Sequence, residues 1–209
     1  TGGATVTINP LPIASISGTT SVCRDAASPT ITFTGGNGTP PYTFTYSING
    51  ESDQFVTTTS GNSVSVSAPT NTAGTFNYAL LSVQDGSTTA CIQSQSDNAI
   101  ITVNPLPTAS VSGTTEVCNF GTSPEITFTG ASGTAPYTFT YNIDGGSNQT
   151  VSTVSGNSVS VQAPTNIVGV HTYSLVSILD ASSTACVQTQ TGSAFVTVNP
   201  LPTASISGT

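Results

Sequence analysis

Four cysteines, one histidine and nine carboxylates are the side chains with which this chain could do chemistry. Cys23 and Cys91 lie 68 residues apart, and each recurs 95 residues later, as Cys118 and Cys186. An even set at identical spacing points to a disulfide framework. The expectation is one bridge inside each repeat, Cys23 with Cys91 and Cys118 with Cys186, formed in an oxidising, extracytoplasmic compartment. Closing a loop of that length would contribute roughly 4 kcal/mol. Two cysteines per repeat and a single histidine do not make a four-ligand metal centre. A reactive thiol needs a base or cation nearby. Arg24 adjoins Cys23, but the matching residue beside Cys118 is Asn119.

The other candidates are weaker. His171 is the single histidine, and Phe76 takes its place in the first copy. A Ser-His-Asp triad depends on that base, so a surface or half-buried His is the better reading. The carboxylates are Asp25, Glu51, Asp53, Asp85, Asp97, Glu116, Glu125, Asp144 and Asp180. Only Asp85 and Asp180 match between copies, and they read as turn aspartates bonded to their own backbone. Glycosidase chemistry needs a carboxylate pair across a cleft, and no pair recurs. Glu51 and Asp53 suggest calcium weakly, because Gly146 and Asn148 replace them in the second copy. Asn37-Gly-Thr39 and Asn148-Gln-Thr150 fit the N-glycosylation sequon. The reading is a non-enzymatic chain with no cofactor and no metal.

Composition narrows the class. Of 209 residues only ten are charged, and Arg24 is the sole basic one. One Arg cannot neutralise nucleic-acid phosphates or hold a basic membrane surface. No apolar run reaches the ~18 residues of a transmembrane helix. No nucleic-acid partner and no membrane insertion are expected. Lacking Lys, the chain also cannot form a Lys–Asn isopeptide staple.

The elements that must position these residues repeat as well. Asn-Pro-Leu-Pro begins at Asn9, Asn104 and Asn199. The two full copies agree at about 60% of positions without insertion or deletion, the mark of a tandem array. Modules are expected at 13–107 and 108–202. Residues 1–12 read as the final strand of a preceding repeat, and 203–209 as the start of a following one. The chain thus reads as a window on a longer array.

Apolar residues alternate with Thr or Ser at strand period. Tyr42, Phe44, Tyr46 and Ile48 share one face, as do Val64, Val66 and Ala68, and Val6 and Ile8. Ser60-Gly-Asn62 reads as a hairpin turn joining 56–59 to 63–67. The phase slips near Leu80 and Leu81, which predicts a bulge or a strand buried on both faces. About seven strands per repeat, with no helical period, predict an all-β, immunoglobulin-like β-sandwich. Tyr78 and Tyr173 are candidates for a tyrosine corner, with a packed aromatic as the alternative. Asn9, Pro10, Pro12, Asn104, Pro105, Pro107, Asn199, Pro200 and Pro202 mark the junctions. Pro cannot donate to a ladder and stiffens an extended segment.

The run Thr102-Val-Asn-Pro-Leu-Pro-Thr-Ala-Ser110 carries a resemblance, together with Val117-Cys118, Ala135-Pro-Tyr-Thr-Phe-Thr-Tyr141 and Asp180-Ala-Ser-Ser-Thr-Ala-Cys186. The chain resembles the PKD-like, immunoglobulin-like tandem repeats of giant secreted surface adhesins or filaments of Bacteroidota. It lacks the Trp of standard PKD domains. The resemblance implies a structural stalk at the cell surface or secreted. Its partners would be neighbouring repeats of the same chain, other copies in a fibre, and surface glycans or proteins bound elsewhere in the full-length protein. A carbohydrate- or protein-binding accessory module of a secreted enzyme is the alternative. Donor-strand assembly between chains is a third reading.

Overall fold

Alternation of apolar and hydroxyl side chains gives each strand one face for the core and one for water. The computed structural model describes residues 2–208, and among them there is no helix. The chain divides into two units, Thr1–Asn104 and Pro105–Thr209.

In the first unit nine strands follow in order: β1 (Ile13–Ser17), β2 (Thr20–Cys23), β3 (Thr30–Gly36), β4 (Thr43–Ile48), β5 (Gln54–Thr57), β6 (Ser63–Ser67), β7 (Gly74–Gln84), β8 (Ile92–Ser94) and β9 (Asn98–Asn104). One sheet has the order β1-β3-β6; the other has β2-β9-β7-β4-β5, with β8 also on β7. All pairs are antiparallel except β2 with β9, which is parallel. The two inner faces enclose Ile31, Phe33, Tyr42, Phe44, Tyr46, Tyr78, Leu80, Val83, Ile101 and Val103.

The second unit repeats this with β10 (Thr108–Ser112), β11 (Thr115–Cys118), β12 (Glu125–Ala131), β13 (Thr138–Ile143), β14 (Gln149–Ser152), β15 (Ser158–Gln162), β16 (Gly169–Leu179), β17 (Val187–Thr189) and β18 (Ser193–Asn199). Each unit is a two-sheet sandwich of the predicted immunoglobulin-like kind.

The first stretch of each module serves both sheets, β1 in one and β2 in the other. The kink between them is Gly18, at φ +120°, where a Cβ would lie 2.4 Å from the Thr30 carbonyl. Gly113 repeats it at +115° and 2.3 Å from the Glu125 carbonyl. No other residue has both the φ range and the space. The phase slip in β7 is a bulge: Thr45 pairs with Ser82 but Tyr46 with Leu80, so Leu81 has no partner on β4.

The outer faces replace charge with hydroxyl pairs across strands. Thr32 meets Ser65 at 2.8 Å, Thr34 meets Ser63 at 2.9 Å and Thr43 meets Thr57 at 2.9 Å. Thr127–Ser160, Thr129–Ser158 and Thr138–Ser152 repeat them. Such pairs contribute roughly 0.2–1 kcal/mol each.

Two local expectations are corrected. Ser60-Gly-Asn62 does not close a hairpin. β5 pairs with β4 in one sheet and β6 with β3 in the other, so the turn carries the chain between sheets. Turn chemistry signals a reversal; the sheet each strand joins depends on which apolar face it covers. Residues 2–12 form no strand either. Val6 and Ile8 are 84% and 89% exposed, whereas their counterparts Ile101 and Val103 are buried in β9.

Candidate functional site

The groups singled out from sequence gather at the two ends of each module. At one end, Cys23 closes β2. It is level with Asn104, the last residue of β9, and the Arg24 N–H donates to the Asn104 carbonyl at 2.8 Å. A turn follows, with the Ala26 N–H donating to the Cys23 carbonyl and Asp25 at φ 62°. Thr70 clasps this turn, its hydroxyl donating to the Ala26 carbonyl at 2.7 Å. Cys118, Asn199, Phe120, Gly121 and Thr165 repeat the arrangement.

At the other end, a short loop joins β7 to β8 around Asp85, a buried carboxylate. One oxygen of Asp85 accepts from the Cys91 N–H (2.9 Å), the Ser87 hydroxyl (2.8 Å) and the Ser87 N–H (3.3 Å). The other accepts from the Thr39 N–H at 3.2 Å. Burial alone would raise its pKa. The hydrogen bonds from Ser87, Thr39 and Cys91 outweigh this and hold the carboxyl below the usual range. Ala90 is held at φ 47°, and the Thr89 hydroxyl lies 3.2 Å from the Cys91 sulfur. Asp180 binds the Cys186 N–H (2.8 Å), the Ser182 hydroxyl (2.7 Å) and the Thr134 N–H (3.1 Å) in the same way. The turn-aspartate reading was therefore correct but incomplete, because the carboxylate also fixes the cysteine.

These two ends lie at opposite poles of the module. Val103, next to Asn104, pairs with Gly74 at the start of β7, while Asp85 follows its last residue. At ~3.3 Å per residue the eleven-residue strand separates the poles by roughly 30 Å. A disulfide needs Cα atoms about 4.4–6.8 Å apart, so the expected Cys23–Cys91 and Cys118–Cys186 bridges do not form. Cys23 and Cys186 are disulfide-bonded, whereas Cys91 and Cys118 are free thiols.

The junction residues belong to the same poles. Asn9 donates through Nδ2 to the Thr89 hydroxyl at 2.8 Å, beside Cys91. Pro12 and Pro107 are buried, while Pro10, Pro105, Pro200 and Pro202 are exposed. Asn104 and Asn199 end the final strands of their modules.

Tyr78 and Tyr173 are buried and stack on Tyr46 and Tyr141, with ring centroids 6.3 and 6.4 Å apart. Burial raises their pKa values. The structure shows them as packed aromatics, the alternative reading, and a hydroxyl-to-backbone bond is made by Tyr42 and Tyr137, which donate to the Gly38 and Gly133 carbonyls at 2.7 and 2.8 Å. The available signal was the Gly four residues before each of these tyrosines.

His171 forms a clasp specific to the second module. Nδ1 lies 2.9 Å from Asp144 Oδ2 and Nε2 lies 3.0 Å from the Ile167 carbonyl. Both neighbours are acceptors, so the doubly protonated ring suits the site. The Asp144 and Ile167 hydrogen bonds raise the imidazole pKa; the Thr172 N–H and then His171 lower that of Asp144. Ile143, Pro164, Ile167 and Tyr173 line a shallow apolar hollow beside it. With both ring nitrogens engaged, the ring fastens a loop and activates no nucleophile. Glu51, Asp53, Asn37 and Asn148 are exposed on turns. Among the described residues no group of three His, Cys, Asp or Glu could hold a metal ion. Among the described residues no helix is long and apolar enough to cross a membrane.

No family model and no curated protein matches the sequence. Among solved structures the chain is similar to a Ca2+-stabilized adhesin with which an Antarctic bacterium reaches out and binds ice. The TM-score is 0.52 at 16% identity, over 93% of this chain and 50% of that one. The chain thus spans about half the length of that adhesin structure. A 1.5-MDa bacterial ice-binding adhesin gives a TM-score of 0.49 at 14% identity, over 92% and 65% of the two chains. A tetra-tandem repeat from the extending region of a large adhesion protein gives 0.40 at 17%, over 91% and 50%. At such identities the likeness to the first is one of fold.

Proposed function

We propose that the chain is a stalk segment of a long extracellular filament or giant cell-surface adhesin, of the PKD-like repeat kind found in Bacteroidota. Its role is mechanical: modules at 13–107 and 108–202 add length, and the Pro-rich junctions restrict the angle between successive modules. Residues 1–12 then correspond to the end of a preceding repeat, becoming its final strand only beside that repeat's own sheet, and 203–209 to the start of a following one. The observation that carries this reading is the repetition itself. Two sandwiches of identical topology recur without insertion, each completing both sheets with its own strands. Their chemistry is spent on the ends of the modules and not on a cleft. Each module's final strand pairs inside that module, β9 on β7 and β18 on β16, which favours a covalent tandem array over strand donation between chains. The adhesin-like fold accords with this. A disulfide accords with an extracellular location.

Electron microscopy of the native source tests the proposal. Thin beaded fibres labelled by antibody to this segment are expected. Compact labelled particles without fibres overturn it. Strong, saturable glycan binding by the two-module chain would point instead to an accessory binding module.

A further inference from the structure

We propose that the hollow beside His171 is a binding site for a small organic ammonium ion carrying a phenyl-sized ring, the ring lying on the apolar walls and the ammonium on Asp144. The site lies wholly within the second module. It needs neither a neighbour nor a fibre, and so goes beyond the stalk reading.

The walls come from three parts of one sandwich. Ile143 ends β13, Tyr173 lies in β16, and Pro164 and Ile167 belong to the loop that leads into β16. Together they bound about 210 Å³. An apolar cavity of about 150 Å³ already takes up benzene, so a ring with a short stem fits. Tyr173 is part of the core and Ile143 packs against it, which fixes the floor. Ile167 is 61% exposed, which leaves the mouth open.

The first module shows what this place accepts. Its corresponding residues are Ile48, Pro69, Thr72, Phe76 and Tyr78. Phe76 holds the position of His171, and its ring packs against the core. That ring lies 4.0 Å from where a Cβ at Gly74 would stand, whereas nothing lies within 4 Å of the same point at Gly169. The His171 ring is drawn to Asp144 and the Ile167 carbonyl instead. A ring that the first module carries covalently is thus missing from the second. Ile167, in place of Thr72, extends the apolar wall.

Asp144 supplies the charge. It stands where the first module has Asn49, and both residues take left-handed backbone, at φ 53° and 52°. Each accepts from the amide across from it, Thr172 at 2.6 Å and Asn77 at 2.8 Å. An Asn serves that bond as well, so the turn needs no carboxylate. The second oxygen faces His171 at the rim of the hollow. Residues 105–209 hold four carboxylates and no Lys or Arg. A cation therefore meets no repulsion there except from a protonated His171, and imidazolium and ammonium compete for one carboxylate. The titratable groups packed around His171 are Asp144, Tyr141 and Tyr173, and the two buried phenols stay neutral because desolvation raises their pKa. Strands β10 and β18 and the loop at 163–168 bring no titratable side chain. Once His171 loses its proton, Asp144 is left for the ligand, and binding strengthens.

Nuclear magnetic resonance titration of the 209-residue chain with phenethylammonium tests the assignment. Saturable shifts are expected at the Ile143, Ile167 and Tyr173 signals, and none at the corresponding Ile48, Thr72 and Tyr78. Binding should be about fivefold tighter at about pH 8.5 than at about pH 5. 2-Phenylethanol keeps the ring and lacks the charge; at the higher pH it should bind about fivefold more weakly than the amine. Asp144→Asn, which copies the first module, should erase the difference between amine and alcohol. His171→Phe should abolish binding by returning a ring to the hollow. The dispersion of amide signals in the unbound variants checks that each is folded, and the comparison of amine with alcohol on the unaltered chain needs no variant. Absence of saturable shifts at about pH 8.5, equal shifts in both modules, or equal binding of amine and alcohol would each overturn the proposal. Compact particles in the electron microscope would sink the stalk reading and leave this result untouched.

Discussion

Removing the carboxylate of Asp180 should unfasten one pole of the second module, and by an amount that depends on what replaces it. Asp180 is buried and accepts from the Cys186 N–H at 2.8 Å, the Thr134 N–H at 3.1 Å and the Ser182 hydroxyl at 2.7 Å. Asp180→Ala leaves three amide donors without that acceptor, those of Cys186, Thr134 and, at 3.2 Å, Ser182. A buried unsatisfied donor costs about 1–3 kcal/mol, so with three donors the expected loss is about 3 kcal/mol or more. That is a large part of the roughly 5–15 kcal/mol by which a domain is stable. Asp180→Asn keeps one oxygen for Cys186 and Ser182 but turns an NH2 toward the Thr134 N–H. One donor is then unsatisfied, and the loss should be about 1–3 kcal/mol. Urea unfolding followed by far-UV circular dichroism measures the totals. Hydrogen exchange locates them, because the Cys186 amide should lose protection in Ala but keep it in Asn, while the Thr134 amide loses it in both. A change under about 0.5 kcal/mol for Asp180→Ala, or an Asn variant as damaged as the Ala variant, would refute the account of the loop.

Other outcomes follow from the same geometry. Phe128→Ala empties a fully buried site stacked on Phe139 and tilted against Tyr141; it should cost about 3–5 kcal/mol, read by thermal denaturation. Gly113→Ala places a methyl against the Glu125 carbonyl at φ +115° and should destabilise by about 1–3 kcal/mol or more, with loss of amide protection confined to β10 and β11. His171→Phe, which copies the first module, should abolish a pH-dependent increment of about 0.5–1 kcal/mol, small because Asp144 is 45% exposed. The sign is set by two opposite shifts. The raised His171 pKa gives stability that is complete below the unfolded imidazole value of about 6.5 and is lost as pH rises through the folded value. The lowered Asp144 pKa gives stability that is complete above about 3.9 and is lost as pH falls through its folded value. Urea midpoints of wild type and variant should therefore differ most between about pH 4 and 6.5.

Much of the fold was legible because strand period leaves a one-dimensional record. Phe44 and Tyr46 on one face and Thr43 and Thr45 on the other announce a half-buried strand. The bulge at Leu81 showed as a break in that record. The partner of each strand did not show. The link at 60–62 looked like a hairpin because Gly and Asn signal reversal, but reversal within a sheet and crossing to the facing sheet use the same residues. Tyr42 was missed for a similar reason. Its clasp depends on Gly38 being folded back over the ring, which is a property of the packed loop.

The sequence by itself determined the period of 95, the all-β class, the charge-poor hydroxyl surface and the recurrence of Asn, Pro and Cys at fixed places in each copy. These are properties of composition and periodicity, and neighbouring residues write them directly. Only the tertiary structure decided that the two cysteines of one module cannot meet. Spacing in sequence counts residues, whereas a disulfide is a demand on distance. An eleven-residue strand holds Cys23 and Cys91 at opposite poles however regularly they recur.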